Sequence, residues 1–182
     1  CIIIAFPLFY CISMSFFTNI DFTDAYAHFL PSHPVLDNFR TALQNRYYPR
    51  FIINSLLTSA LTAIGRTLIT VMAAFAFTHI RFRFRQILLI ALLGTMFIPP
   101  DALLYPNYRT IAGLGLIDTY AAIILPSLFS ASALLLMISS FVSAGQEYYD
   151  AARIDGAKDS VYIAKILCPM AGSVVFALFL QA

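Results

Sequence analysis

Apolar stretches long enough to cross a bilayer recur along this chain with only short polar stretches between them. The runs are 51–77, 87–104, 120–142 and 163–182, and a slightly shorter one, 1–17, opens the chain. A helix of about 20 apolar residues spans the hydrocarbon core. Within lipid the backbone must satisfy its own hydrogen bonds, and for unbroken apolar runs the helix does this. With 60% hydrophobic and 11% charged residues and a mean hydropathy of +0.82, the chain falls outside the soluble globular class. The expected fold is all-α: one transmembrane helical bundle over 1–182 with about five spans. The chain opens at Cys1 inside one apolar run and closes at Ala182 inside another, with no initiator Met and no charged region before the first run. A secretory signal peptide is therefore not expected, and the sequence reads as a fragment of a longer membrane protein.

Charge sets the orientation. Arg81, Arg83 and Arg85 fall within 79–86 with no acid among them, and such a short basic loop stays in the cytoplasm. The first span then runs outward, 18–50 lies outside and the loop 143–165 lies inside. Arginine and lysine number six across the two inner loops and four in the outer segments, so the density at 81–85, not the total, decides the orientation. A net charge of +2 is too small to suggest a nucleic-acid partner.

Chemistry-bearing residues are sparse. His28 and His33 in the outer loop have no third ligand nearby and read as plain loop residues. Cys1, Cys11 and Cys168 lie in apolar stretches at no metal or redox spacing and read as buried thiols. No phosphate-binding loop, zinc-protease motif or nucleophile elbow occurs. No cofactor, metal or enzymatic activity is therefore expected. Arg66 lies mid-span, where an unpaired charge costs on the order of 2.5–3.5 kcal/mol. Either it faces a translocation pathway or a subunit interface, or it donates to backbone carbonyls in the bundle; the residues leave both open. Pro99 and Pro100 break or end the third span.

The longest polar run of the second half is 146–169, QEYYDAARIDGAKDSVYIAKILCP, set between two apolar segments. Ser143 with Gln146 has the form of a capping box, which predicts a short helix starting there. Asp155-Gly156 supplies a stop, since glycine tolerates the left-handed conformation that ends helices. Tyr148, Ala151, Ala152 and Asp155 would then share one side. Two adjacent alanines leave that side free of long side chains, so it reads as a docking surface.

The same stretch carries a resemblance. Asp150-Ala151-Ala152, three residues, Gly156, nine residues and Ile166-x-x-Pro169 resemble the EAA loop of permease subunits in bacterial ABC importers. Asp150 stands where the family has Glu, and Cys168 where it has Leu. Further passages resemble the family in the same order: Asn54-Ser55-Leu56, Ala73–Phe77 with Arg81–Phe84, Leu104–Tyr108, Gly113–Tyr120 and Pro126. The sugar-uptake branch is matched especially at 153–157, RIDGA.

The resemblance implies a multi-pass inner-membrane permease of the carbohydrate branch. It would pair with a second permease, bind a cytosolic ATPase dimer and receive solute, most simply a sugar, from an extracytoplasmic binding protein. It further implies that 146–158 couples to the ATPase: Asp150 as a polar contact, Ala151 and Ala152 as the close-packed face and Gly156 as the orienting turn. Glu147, Arg153, Asp155 and Ala157 complete that candidate set; Asn54 and Arg66 are candidates for the pathway or interface. Within the family a glycerol-phosphate or polyol importer is the alternative. Outside it stand a secondary transporter, against which the lack of carboxylates within spans argues, and a membrane-embedded regulatory protein.

Overall fold

The computed structural model describes residues 2–23 and 29–181. Among these residues no strand occurs, and the chain forms two compact units, Cys1–Asn54 and Ser55–Ala182.

In the first unit, helix α1 (Ile2–Met14) is followed by α2 (Asn19–Thr23), α3 (Asp37–Gln44) and the start of α4 (Tyr48–His79). The polar stretch after α1 is not a slack loop; side chains tie it together. Asp21, buried despite its charge, accepts from the Thr18 amide (2.8 Å), the Thr18 hydroxyl (2.9 Å) and the Ser32 amide (3.3 Å). These donors favour the ionised carboxylate and hold Asp21 well below the ordinary aspartate value. The Asn38 amide donates to the carbonyls of Ser15 (3.1 Å) and Phe17 (2.9 Å). His28 lies outside the described residues, and among the described residues no group of His, Cys, Asp and Glu is placed to hold a metal. Cys11 is exposed rather than buried, because α1 turns that side of its apolar surface outward, and Cys168 is half-buried.

The second unit is organised around α8 (Ala131–Ala144), whose Leu134, Met137 and Phe141 are fully buried. Against them pack Val71, Ala74 and Phe75 of α4, then Tyr162, Leu167 and Leu178 from the end of the chain. The opposite surface is apolar too: Leu57, Leu61, Ile64, Leu68 and Met72 of α4 are all exposed. Water would not tolerate a face this large; lipid or another membrane subunit would.

Among the described residues one helix, Tyr48–His79, is long and apolar enough to span by itself, and three further pairs qualify if each bent pair is one span. The third apolar run is α5 (Arg85–Gly94) with a 3-10 turn at Thr95–Phe97; the chain turns by 101° at Ile98-Pro99 and re-enters helix. The segment after the prolines, which break the third span as expected, is helical: a 3-10 turn at Pro100–Leu103 and then α6 (Leu104–Gly113). Pro106 sits in the first turn of α6, where a missing amide costs nothing. The fourth run divides into α7 (Tyr120–Ser127) and α8, bent by 50°. The last stretch starts earlier than expected, at Asp159, and bends by 86° around Ala171.

Candidate functional site

The polar stretch between α8 and the last apolar segment folds as helix α9 (Gln146–Ile154). Its start differs from the sequence expectation. Ser143 is still inside α8, so its hydroxyl donates back to the Ser139 carbonyl (2.9 Å) and caps nothing. The corner is made by Gly145, whose φ of +83° no side chain other than glycine's would adopt comfortably. Gln146 instead reaches Asp150, one turn on, at 3.4 Å.

The end of α9 follows the expectation in detail. Gly156 takes φ +74°; its amide donates to Arg153 (3.1 Å) and the Ala157 amide to Ala152 (2.9 Å). These two bonds make a Schellman motif, which satisfies carbonyls that a helix end leaves open. Ala157, which closes it, packs on the core beside Ala152. Gly156 is thus the stop that lets the chain reverse into α10 (Asp159–Tyr162).

The two faces of α9 divide the candidate residues differently from the sequence reading. Ala152, expected beside Ala151 on a docking surface, is buried at 6% exposure and belongs to this chain's own core, together with Tyr149 at 8%. Glu147, Tyr148, Asp150, Ala151, Arg153, Ile154, Asp155 and Gly156 are exposed. Burial of Tyr149 rotates the helix so that Ala152, three residues on, follows it inward.

Tyr149 is the residue that sequence reasoning missed. Its ring lies 4.9 Å from that of His79 at the end of α4, 5.1 Å from Tyr162 in α10 and 5.8 Å from Phe75. Its hydroxyl donates to Asp159 Oδ1 (3.0 Å) and accepts from Arg153 Nη1 (3.1 Å), whose guanidinium also lies 5.7 Å from the ring centre. The Tyr149 hydroxyl, backed by Asp159, raises the Arg153 guanidinium above its ordinary value, so it stays charged. Arg153 and Asp159 approach to 3.9 Å with both side chains about half exposed, a pair worth little in itself. The signal in the sequence was the inward spacing of Tyr149 and Ala152, read instead from Tyr148. One aromatic cluster thus joins α9 to the end of α4 and to the start of the last helical stretch.

Arg66 is half-buried and its Nε donates to the Ser127 carbonyl at 2.7 Å. Ser127 ends α7, so this carbonyl has no partner in its own helix. Of the two alternatives left open by the sequence, a bond to a backbone carbonyl is therefore present. Asn54 is half-buried in the first part of α4.

Comparison with known proteins gives the family. An sn-glycerol-3-phosphate transport system permease protein UgpE of Brucella suis is 31% identical over 185 aligned positions, covering 98% of this chain and 66% of that protein. The Agrobacterium fabrum protein of the same name is 32% identical with the same coverage, and that of Salmonella choleraesuis 28% over 156 positions, 82% of this chain. The chain belongs to the ABC-importer permeases. It spans just under two thirds of the length of the relatives with which it aligns most fully. A bacterial ABC transporter involved in the import of the acidic polysaccharide alginate has the same fold, with a TM-score of 0.81 over 99% of this chain and 64% of the other, at 22% identity. No family model matches the chain. The relatives are named as components of a transport system.

Proposed function

We propose that this chain is the membrane-spanning subunit of a binding-protein-dependent ABC importer and that α9 is its contact with the ATPase. The observation that carries the reading is the division of α9. One face is fused to the ends of two membrane-embedded segments through Tyr149 and Ala152; the other presents Glu147, Tyr148, Asp150, Ala151, Ile154 and Asp155. Ile154 is 86% exposed on a nine-residue helix, an apolar side chain suited to a groove in a partner. Asp150 and Glu147 supply charge beside it, and Ala151 allows close approach. A helix held this way moves its bundle when its outer face is moved.

The remaining assembly follows from the family: a second permease, an ATPase dimer on the cytoplasmic side and an external binding protein. The solute is a small hydroxylated compound of the sugar or glycerol-phosphate type, in line with relatives named for sn-glycerol-3-phosphate transport. The basic loop at 81–85 puts α9 on the cytoplasmic side.

The test uses the full-length chain with Cys1, Cys11 and Cys168 replaced and a cysteine at exposed Ala151, co-expressed with its partner permease and ATPase. Cross-linking to the ATPase with a nucleotide-dependent yield is expected. Labelling of that cysteine by an impermeant reagent from outside, with no cross-link, would overturn both the topology and the coupling role.

A further inference from the structure

Residues 80–85 read Ile-Arg-Phe-Arg-Phe-Arg, apolar and cationic side chains in strict alternation. They join the end of α4 at His79 to the start of α5 at Arg85, so only residues 80–84 lie outside helix. At no more than about 3.6 Å per residue, so short a link cannot carry its side chains far beyond the lipid headgroups. Arg81 and Arg83 are exposed and Arg85 is half-buried. Among the described residues none of the three pairs with a carboxylate; the ion pair present is Arg153–Asp159. Arg85 lies on the inner side, where its charge acts on His79 together with those of Asp150 and Asp159. Arg81 and Arg83 are left as the outward cations.

The apolar members of the alternation are exposed as well: Ile80, Phe82 and, at 63%, Phe84. A loop that met only water would gain nothing from three large apolar side chains. Phe82 packs on the Phe77 ring with centroids 5.7 Å apart, which ties the loop to the end of α4, and the Arg83 guanidinium lies 5.2 Å from the centre of the Phe84 ring. Phe84 holds left-handed backbone at φ +64°, uncommon for a bulky residue. Beyond it, exposed Ile87 and Ile90 of α5 continue the apolar surface along a membrane segment. Cation and hydrocarbon therefore reach the surface side by side. That pairing fits a layer of phosphate above a layer of acyl chain: the guanidinium fork meets phosphate oxygens while its stem and the rings lie along the chains. A phosphate in solution would answer the arginines alone.

We infer that residues 80–87 form a binding site for anionic phospholipid of the cytoplasmic leaflet, with Arg81 and Arg83 on the headgroup phosphate and Ile80 and Phe84 among the upper acyl chains. The site adjoins His79, and so the aromatic joint that holds α9. The inference needs the cytoplasmic placement of the loop, but neither the solute nor the ATPase contact. An acidic surface of the ATPase or of the second permease is the competing occupant.

The experiment uses the full-length, cysteine-replaced chain with Gln86→Cys, an exposed position beside the patch, labelled with a fluorophore. It is assembled with partner permease and ATPase in phosphatidylcholine nanodiscs. Phosphatidylglycerol or phosphatidylcholine bearing a doxyl quencher high on one acyl chain is added at equal mole fraction, and quenching reads their relative association at the loop. One arginine at an anionic surface is worth about fivefold, so the two should favour phosphatidylglycerol roughly twentyfold. Arg81→Gln with Arg83→Gln should bring the ratio close to one, while Arg81→Lys with Arg83→Lys should keep most of it. Raising salt from about 0.05 M to about 0.5 M should shrink it. Co-purification of the ATPase checks that each variant assembles. Equal quenching by the two lipids in the unsubstituted loop would overturn the inference, as would a phosphatidylglycerol preference that survives the double glutamine change. So would the absence of quenching by either lipid, which would mean that a partner subunit covers the patch. Failure of the importer reading itself would appear separately, as loss of the Ala151 cross-link.

Discussion

Replacing Tyr149 by alanine and by phenylalanine separates two ways in which α9 could be held. The ring is 8% exposed and meets three others: His79 at 4.9 Å, Tyr162 at 5.1 Å and Phe75 at 5.8 Å. Removing a buried aromatic side chain costs about 3–5 kcal/mol. The hydroxyl is a smaller matter. Its partners Asp159 and Arg153 are about half exposed, so water replaces the lost bonds and Tyr149→Phe should cost about 0.5–1.5 kcal/mol. Tyr149→Ala should therefore be the more damaging by roughly 2–4 kcal/mol. Thermal denaturation of the full-length permease in detergent, followed by thiol labelling of Cys168, reads the difference. In the assembled transporter, Tyr149→Phe should keep solute moved per ATP near wild type, while Tyr149→Ala should hydrolyse ATP with reduced transport. Equal destabilisation by the two variants would refute ring packing as the joint and assign it to the Asp159–Arg153 bonds.

Three further outcomes follow from the geometry. Gly156→Ala forces a Cβ into left-handed backbone at φ +74° with nothing within 4 Å to collide with, so it should cost about 1–2 kcal/mol from conformation alone, and Gly156→Asn distinctly less; denaturation midpoints compare them. Gly65→Ala places its Cβ against Leu128 Cδ2 and should cost about 1–3 kcal/mol, a loss that Leu128→Ala in the same chain should partly relieve in a double-mutant cycle. Asp21 has a folded value below its ordinary 3.8, so its contribution to stability is complete above that pH and is lost as pH falls through the folded value. Amide exchange at Thr18 and Ser32 should be more protected in wild type than in Asp21→Asn at pH 6, with the gap closing below pH 3.8.

What could be read beforehand was whatever rests on composition or on one residue's backbone preference. Apolar runs announced membrane helices because lipid leaves the backbone no other partner. Asp155-Gly156 announced the end of α9 because the left-handed position admits glycine at little cost. What could not be read depended on packing across the fold. Ser143 and Gln146 have the spacing of a capping box, yet α8 runs on to Ala144 and claims the serine. Tyr148 and Tyr149 are chemically alike, and only the pocket offered by Phe75, His79 and Tyr162 decides which turns inward. Helix α6 was hidden by Pro106 and Asn107, residues that read as a turn until Pro106 is seen in the first helical turn. Arg66 was singled out by its charge, but its carbonyl partner lies 61 residues away and leaves no local trace.

The same contacts determine where a displacement of α9 would be taken up. Under the importer reading, a push on Asp150, Ala151 and Ile154 passes through Tyr149 and Ala152 to the end of α4 and to Tyr162, because these groups share one buried cluster. The connections on either side are softer. Upstream, α8 meets α9 at Gly145, with no side-chain cap across the corner. Downstream, residues Ile163–Leu167 form a π-helical turn, and the chain bends by 86° around Ala171, just past Pro169. π-Helical turns recur at functional sites, and proline removes a ladder hydrogen bond. Movement is therefore expected to pivot at Gly145 and at 163–171, while the aromatic joint travels as one piece. Arg66 lies within α4, so a shift of α4 at His79 is carried to the bond between Arg66 and the Ser127 carbonyl along a single unbroken helix.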